Sequence, residues 1–332
     1  MKNILFVNGL PDHKKVTVDR AHPLSGEITY RYIGGCELYA HIEHAGWRRQ
    51  RILLDLNPGS IQFKDTHCVI NQIAEPDLCS QTLQRLNHIL SKHPGLPIFN
   101  APEHVLKTRR DHVYALLKDI NGVRVPHTLR FNPLSPQDIL EAVHEHTGYP
   151  VIVKACGEHN GRAMVRLNSA EDAYLLHRFA LDGSPYYLME CIDIAQQGIY
   201  HKHRLVSVQG QSFARHSCFF DHWLVNYDDN SRSFMAQHPA YQQRERQFLR
   251  GYATNIEPGL RARFADIYRK IPLDLVGLDC ALLPDGTLVI FELNANMQLF
   301  SVRPEDREHL EAPVNRIREA IVSCIQQKTI PA

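Results

Sequence analysis

Residues 273–296 read LDLVGLDCALLPDGTLVIFELNAN, which is two apolar runs joined by a turn signal. This pattern predicts a β-hairpin in the core of the protein. Three polar side chains interrupt the apolar runs, namely Asp279, Glu292 and Asn294. A buried carboxylate without a partner costs several kcal/mol, so the hairpin requires something that compensates these charges.

The length of the turn controls whether the two acids face each other. Side chains alternate along a strand, so Glu292 and Asn294 share one face of the sheet. A loop with an even number of residues places Asp279 opposite Glu292, whereas an odd number places them on opposite faces. Because Pro284 is disfavoured at a paired position, we predict a four-residue loop over 284–287, with the acids face to face.

An acid pair of this kind has two interpretations. Facing carboxylates repel and raise each other's pKa, and a divalent cation between them removes that penalty. Asp279, Glu292 and the amide of Asn294 are oxygen donors, the hard ligands that suit Mg2+ or Mn2+. The alternative is that Asp279 forms local hydrogen bonds while Glu292 pairs with a nearby arginine. The hairpin alone leaves both interpretations open.

Composition narrows the class of protein. The 332 residues are 44% hydrophobic and 22% charged, as in ordinary globular proteins, and the formal net charge of +1 gives no reason to expect nucleic acid or an anionic membrane as partner. No apolar run approaches the roughly 20 residues of a membrane-spanning helix, and the N-terminus lacks signal-peptide features. The eight cysteines are scattered without a CxxC pair, so we predict a reduced, cytoplasmic protein.

Strand-like and helix-like segments alternate through residues 1–98, which predicts an open α/β sheet there. Residues 11–34 within it are polar and irregular and look like a long loop. The remainder combines capped helices with hairpins, which is typical of the α+β class. Residues 218–239 are loop-like and rich in aromatic side chains. We interpret them either as a lid or binding loop on the substrate or acceptor side, or as an aromatic satellite core.

The acidic hairpin resembles the metal-binding end of the ATP-grasp superfamily, whose pattern is an apolar-Gly-apolar-Asp strand followed by Glu-x-Asn. The magnesium ligands implied by this resemblance are Asp279, Glu292 and Asn294. The stretch YPVIVKACGEHNG resembles the strand and phosphate-covering loop of the same superfamily. Lys154 at the strand end would then bind the nucleotide, and the backbone at Gly157 and Gly161 would approach its phosphates. The alternative for Lys154 is an ordinary strand end.

Two further segments resemble the superfamily. YLMECI is similar to the hinge strand that holds adenine. The residues matching this hinge are Glu190, Cys191 and Ile192, followed by Asp193 as a candidate ribose ligand. TRRDHVYALL is similar to the segment that begins the fold, where Arg110, or Arg109 with the register shifted by one, is the basic nucleotide-binding residue. The alternatives are a solvated helix face for Arg110 and structural hydrogen bonds for Glu190.

The resemblance covers about residues 98–325 and is closest to the glutathione-synthetase-like and ribosomal-protein glutamate ligase branch. It implies an α/β (α+β) chain in which an open α/β domain precedes two α+β subdomains that clasp the nucleotide. The implied boundaries are 1–98 for the N-terminal domain, 99–190 for the small lid subdomain and 191–332 for the large subdomain with the metal site. Three features depart from the family pattern: few glycines in the phosphate loop, arginine at the first basic position, and no Pro-Gly after Glu-x-Asn.

The chemistry that this resemblance implies is ATP-dependent ligation of a carboxylate to an amine. The carboxylate attacks the γ-phosphate of ATP, and an amine, from an amino acid, peptide or protein side chain, then displaces phosphate from the acyl phosphate. ATP and two Mg2+ or Mn2+ ions are the implied cofactors. The candidate catalytic residues are Arg204, Arg215 and Lys202. The alternatives are a small-molecule kinase of this fold and a non-catalytic ATP-binding regulatory protein, and a homodimer is the expected assembly.

Overall fold

The computed structural model describes residues 1–55, 61–158, 161, 163–295 and 297–330. The strands are β1 (Lys2–Asn8), β2 (Thr17–Ala21), β3 (Ile28–Arg31), β4 (Trp47–Leu53), β5 (Thr66–Asn71), β6 (Ile98–Phe99), β7 (Val123–Arg124), β8 (Thr128–Phe131), β9 (Val151–Ala155), β10 (Met164–Leu167), β11 (Tyr186–Glu190), β12 (Tyr200–Val208), β13 (Gln211–Phe220), β14 (Leu275–Leu282) and β15 (Leu288–Asn294). The helices are α1 (Leu38–His41), α2 (Ser80–Leu90), α3 (Pro102–Val105), α4 (Arg110–Leu117), α5 (Pro136–Ala142), α6 (Asp229–Gln237), α7 (Pro239–Thr254), α8 (Pro258–Lys270) and α9 (Arg307–Lys328). Within these described ranges, every helix is too short or too polar to span a membrane.

The first sheet has the strand order β4-β1-β5-β6, and all of its strand pairs are parallel. The apolar run of β1, residues 4–7, is buried throughout, as expected for a parallel strand covered on both faces. The predicted open α/β sheet is therefore confirmed. The prediction of a long loop over 11–34 is wrong in part, because β2 and β3 pair there as a separate antiparallel hairpin.

The second sheet is antiparallel, with the order β10-β9-β11-β8. One of its faces packs on α5, and Ile139 from that helix joins Val151, Val153 and Leu188 in a fully buried cluster. Helix α5 begins where the sequence predicts, because the Ser135 hydroxyl caps it by accepting a hydrogen bond from the backbone amide of Asp138. This sheet carries Lys154 and the hinge strand.

The third sheet has the order β13-β12-β14-β15-β7. Its hairpin β12–β13 turns at Gln209 and Gly210, which both have positive φ, as a type I′ turn requires. Strand β7 pairs in parallel with β15, so a short segment from the predicted lid subdomain contributes to the sheet of the predicted large subdomain. The mixed α/β fold class is confirmed, while the domain boundaries at 98 and 190 stay a prediction.

The aromatic region 218–239 contains more regular structure than the sequence indicates. Strand β13 continues to Phe220, and α6 begins after Asp228, whose carboxylate accepts from two backbone amides of the first turn. Helix α7 follows directly, with a proline at its first position. The prediction of a continuous loop is therefore wrong for the second half of the region, and 221–228 remains the irregular part.

The acidic hairpin reaches its predicted geometry by a different route. Leu283 and Thr287 are hydrogen-bonded, and Gly286 adopts a φ of 82°, so the loop between them has three residues rather than four. An odd loop would place the acids on opposite faces. A β-bulge corrects this, because Cys280 pairs with Ile290 while Asp279 pairs with Glu292, which leaves Phe291 as the extra residue. The acids therefore face each other as predicted, although the predicted loop is wrong.

Candidate active site

A cavity of about 540 Å³ is lined by residues of the second and third sheets and by the segment that follows β3. The sequence-predicted residues in its lining are Arg110, Lys154, Gly161, Glu190, Cys191, Ile192, Asp193, Lys202, Arg204, Asp279, Glu292 and Asn294. Gly157 borders a smaller adjoining pocket that shares Arg110, Lys154 and Glu292. Arg215 is absent from the described lining of both. The fold therefore brings together residues that lie up to 184 positions apart (294 − 110).

Asp279 lies in the wall of this cavity and is only 4% exposed. Its carboxylate accepts hydrogen bonds from Nε and Nη2 of Arg204 at 2.8 and 3.0 Å, and Nζ of Lys202 lies 3.1 Å from Oδ2. Arg204 stands directly opposite Asp279 across β12 and β14, and Lys202 shares its face of β12. Burial alone would raise the pKa of Asp279, but the two cations outweigh it and hold that pKa well below its usual range.

Glu292 pairs with the arginine that precedes the second sheet. Nη2 of Arg110 lies 3.0 Å from its Oε2, and Nη1 donates to the carbonyl of Phe291, the bulged residue, at 2.7 Å. Asn294 donates its side-chain amide to Oε1 of Glu292 at 3.2 Å. Burial would lower the pKa of Arg110, but Glu292, Tyr187 and Glu75 together outweigh burial and raise that pKa. Arg110 therefore lies in the cavity rather than on a solvated helix face, and Glu292 has the arginine partner that the second interpretation of the hairpin required.

Four basic side chains, Arg110, Lys154, Lys202 and Arg204, line the cavity together with the two carboxylates of Asp279 and Glu292. The remaining charged residues of the lining are Glu37, Glu158, Arg166, Glu190 and Asp193, so the basic character belongs to this cluster and not to the whole cavity. Clustered Arg and Lys side chains bind phosphate groups through charge-assisted hydrogen bonds.

The donor set also fits a hard divalent cation. Two carboxylates and an amide oxygen come from neighbouring positions on one face of the hairpin, because Gly277 pairs with Asn294 and Asp279 with Glu292. The described residues contain no group of three or more His, Cys, Asp or Glu side chains suited to a metal ion. The amide oxygen of Asn294 therefore has to complete the set. A carboxylate has about four lone-pair sites, so Asp279 can serve a cation and Arg204 together.

Lys154 stands at the end of β9 with 5% of its surface exposed. Its ammonium donates to the carbonyls of Ala155, at 3.3 Å, and Glu158, and so lies against the start of the phosphate-covering loop. Burial and the nearby charge of Arg110 lower its pKa to about 8. An anionic ligand would favour the charged form of this lysine and raise its pKa again.

Two glycines of the loop predicted to cover phosphates make close contacts with other parts of the chain. Gly157 has a φ of +74°, and a β-carbon on it would lie 2.4 Å from Cδ2 of Leu78 in the N-terminal part. Gly161, with a φ of +71°, would meet Leu224 at 2.9 Å and Asn226 at 3.0 Å. Both positions require glycine for conformation and for space. Residues 159, 160 and 162 of this predicted loop lie outside the described residues.

The hinge residues occupy the end of the cavity beyond β11. The carboxylate of Glu190 accepts hydrogen bonds from Nη2 of Arg124 at 2.6 Å and from the amide of His127 at 3.2 Å, so a role of Glu190 at the hinge would belong to its backbone. The amide of Cys191 donates to Pro150, and Asp193 accepts from the amide of Ala195 at 2.9 Å. The binding of adenine or ribose at this hinge stays a prediction.

Arg215 lies behind the cavity wall rather than in it. Arg215 is the extra residue of a bulge in β13. Its neighbours His216 and Ala214 pair with the consecutive residues Arg204 and Leu205 of β12. Its Nε donates to the carbonyl of Leu299 at 2.6 Å and its Nη2 to that of Ser301 at 2.5 Å. Burial lowers its pKa to about 10. Of the three candidate catalytic residues, Lys202 and Arg204 share one face of β12 and line the cavity, whereas Arg215 does not.

Sequence reasoning missed two segments of the lining, residues 32–38 and 297–301. Trp223 and Leu224 also line the cavity, and they belong to the aromatic region that was interpreted as lying on the substrate side. The pair Gly34–Gly35, followed by an apolar helix start, was the available signal for the first segment. The second follows the Glu-x-Asn motif, at the point where the Pro-Gly of the family pattern is missing.

Comparison with known proteins gives matches in structure only. No family model matches the chain, and no curated protein matches it in sequence. The chain is similar to D-alanine–D-alanine ligase from Bacillus anthracis, with 13% identity, a TM-score of 0.55, and 99% of both chains covered. It is also similar to VanG D-Ala:D-Ser ligase from Enterococcus faecalis, with 9% identity and a TM-score of 0.55 over 97% of this chain and 99% of the other.

A third match is the ATP-grasp ligase PsnB complexed with minimal precursor, Mg and ADP, with 14% identity, a TM-score of 0.54, and 98% of this chain and 97% of the other covered. At these identities, similarity establishes the fold and not the reaction.

Proposed function

Because this chain has the ATP-grasp fold, we propose that it is an ATP-dependent ligase that joins a carboxylate to an amine through an acyl phosphate. The observation that carries the proposal is the cluster of four basic side chains around Asp279, which is buried, and Glu292, which is partly buried. Such a cluster suits a triphosphate with its divalent cation, and phosphoryl transfer depends on positioning and charge neutralisation of this kind.

The proposed roles follow from the positions of the side chains. Asp279, Glu292 and Asn294 would hold Mg2+, which when bound supplies the neutralising charge between the phosphates. Lys154 would place a point charge against the phosphates from the side of the covering loop, and Arg110 would approach them from the side of Glu292. Arg204 and Lys202 are oriented by Asp279, so they would stabilise the oxygen atoms that gain negative charge during transfer.

The reaction takes place in two steps. A carboxylate oxygen of the substrate forms a bond to the γ-phosphorus of ATP while the bond from that phosphorus to the bridging oxygen breaks, which yields an acyl phosphate and ADP. The amine nitrogen then attacks the acyl carbon, phosphate leaves, and the nitrogen loses a proton to water. Retention of the acyl phosphate requires exclusion of water, which the covering loop held by Leu78 and Leu224 would provide.

Product analysis tests this proposal. The protein is incubated with ATP, Mg2+ and a pool of amino acids and short peptides, and ADP, AMP, phosphate and pyrophosphate are measured. We expect ADP and phosphate in equal amounts, and hydroxylamine should convert the acyl phosphate into a hydroxamate. ADP without free phosphate would identify a kinase instead. AMP with pyrophosphate would contradict the acyl-phosphate route.

The affinity for nucleotide is expected to depend on the protonation of Lys154. Its pKa of about 8 in the free protein rises when an anion binds, because the anion favours the charged form. The affinity for ADP with Mg2+ should therefore be constant below that pKa. Above it the affinity should fall by up to about tenfold per pH unit until the pKa of the complex is reached. Calorimetric titration across this range measures the effect.

The control for this prediction is Lys154→Arg, whose guanidinium stays charged over the whole range. This variant should bind ADP without the fall in affinity at high pH. An equal fall in the wild type and in Lys154→Arg would assign the pH dependence to another group.

A further inference from the structure

The row of side chains next to the acid pair on the third sheet is uncharged. Arg204, Asp279 and Glu292 form one cross-strand row of the third sheet. Side chains two positions further on point to the same face, and the next row there is Val206, Gly277 and Asn294. This second row contains no charged side chain. Of this row only Asn294 is among the lining residues of the cavity, because Val206 is fully buried and Gly277 lies beneath Met297.

Met297 covers the second row. A β-carbon built on Gly277 would lie 2.3 Å from Sδ and 2.7 Å from Cγ of Met297, so the thioether rests directly on the glycine backbone. Any side chain at 277 would displace it. Glycine in the interior of a strand weakens the strand and often marks a close approach of another group. Here the approaching group is an apolar side chain that lines the cavity.

The segment that carries Met297 is held at several points. Arg215 binds the carbonyls of Leu299 and Ser301, as described above. The ring of Phe300 lies 4.9 Å from that of His41 on the N-terminal side, and the guanidinium of Arg318 lies 5.7 Å above it. These contacts tie the segment to α1, β13 and α9. The apolar wall is therefore a fixed part of the cavity rather than a loose loop.

A second wall of the cavity comes from residues 32–41, with Ile33 and Leu38 among the lining side chains. In this segment Nε2 of His41 lies 3.8 Å from Oε2 of Glu37, whose side chain is 84% exposed. Because the rings of His41 and Phe300 lie 4.9 Å apart, this wall adjoins the segment that carries Met297. A charged group placed against these apolar side chains would lose part of its hydration.

We infer that this end of the cavity holds an uncharged, apolar side chain of the carboxylate substrate, and that Met297, seated on Gly277, is the residue that selects it. The inference rests on the proposed function for the identity of the reacting group, and on the two walls for the class of side chain. It assigns to the protein a carboxylate substrate of the apolar amino-acid type, either free or at the end of a peptide, rather than an acidic or a basic one.

Ligand binding to the whole protein, with ADP and Mg2+ present, tests this inference. The probes are norleucine, glutamate and lysine, each as both enantiomers and with the amino group free or acetylated. We expect at least one form of norleucine to bind about tenfold or more tightly than the corresponding glutamate and lysine. Equal or tighter binding of a charged probe, or no binding of any probe, would overturn the inference.

Substitutions of Met297 test whether this residue selects the substrate side chain. Met297→Gln should weaken binding of norleucine several-fold and leave the affinity for ADP unchanged, and Met297→Leu should restore most of the binding. If Met297→Gln binds norleucine as the wild type does, Met297 is not the selecting residue. Hydroxamate formation is measured separately with the same probes. Selective binding without hydroxamate would contradict the proposed ligase reaction and leave the apolar site intact.

Discussion

Glu292→Gln is expected to lower the rate of ADP release at least about a hundredfold while the midpoint of thermal unfolding stays within a few degrees of the wild type. Glutamine has the same shape and retains an oxygen that can accept from Arg110, so the packing of the hairpin survives. The substitution removes a negative charge that would attract Mg2+ and that compensates Arg110. The loss therefore falls on catalysis rather than on folding.

Titration with Mg2+ refines this prediction. If Glu292 is a ligand, the variant should also need a higher Mg2+ concentration for half-maximal activity. The matched control is Glu141→Gln on the exposed face of α5, where the same change should leave activity and Mg2+ dependence unaltered. Full activity of Glu292→Gln would refute its role as a ligand.

Asp279→Ala is expected to lower the free energy of unfolding by about 3–5 kcal/mol. The carboxylate is 4% exposed and is the partner of both Arg204 and Lys202. Its removal leaves two cations in the cavity wall without their common counter-charge. Chemical denaturation with an unchanged dependence on denaturant would measure the effect.

Two further variants separate the loss of the pair from the loss of a surface charge. Asp19→Ala removes the partner of Arg31 on the exposed β2–β3 hairpin, where the side chains are 46% and 72% exposed, and should cost less than about 1 kcal/mol. The double variant Asp279→Ala/Arg204→Met should recover part of the loss, because one of the stranded cations is gone. If Asp279→Ala costs no more than Asp19→Ala, the central ion pair does not stabilise the fold.

The acid hairpin illustrates how far sequence reasoning extended. Alternation along a strand correctly placed Glu292 and Asn294 on one face, and the opposition of Asp279 and Glu292 was also correct. The predicted four-residue loop was wrong, and a bulge at Phe291 compensated for the error. One residue fewer in the loop moves every following side chain to the other face, and the extra residue of the bulge moves it back. The two changes cancel, so the facing pair of acids does not reveal either of them. A turn signal carries no information about a bulge five residues away.

The basic residues illustrate the opposite case. The resemblance implied Lys154, Lys202 and Arg204 as site residues, and the structure brings all three into the lining of one cavity. It also implied Arg215 as a catalytic candidate, and a bulge instead turns Arg215 towards the carbonyls of Leu299 and Ser301. Spacing predicts the direction of a side chain only while the strand remains regular.

The sequence alone determined the local features of this protein. The period of a strand, the capping of a helix by Ser135 and the preference of carboxylates for hard cations depend on neighbours within a few positions, so they can be read along the chain. The pairing of Arg110 with Glu292, the contact of Leu78 with Gly157 and the seat of Met297 on Gly277 arose only on folding. The first two of these contacts join residues remote in sequence, and all three depend on the register and packing of whole sheets.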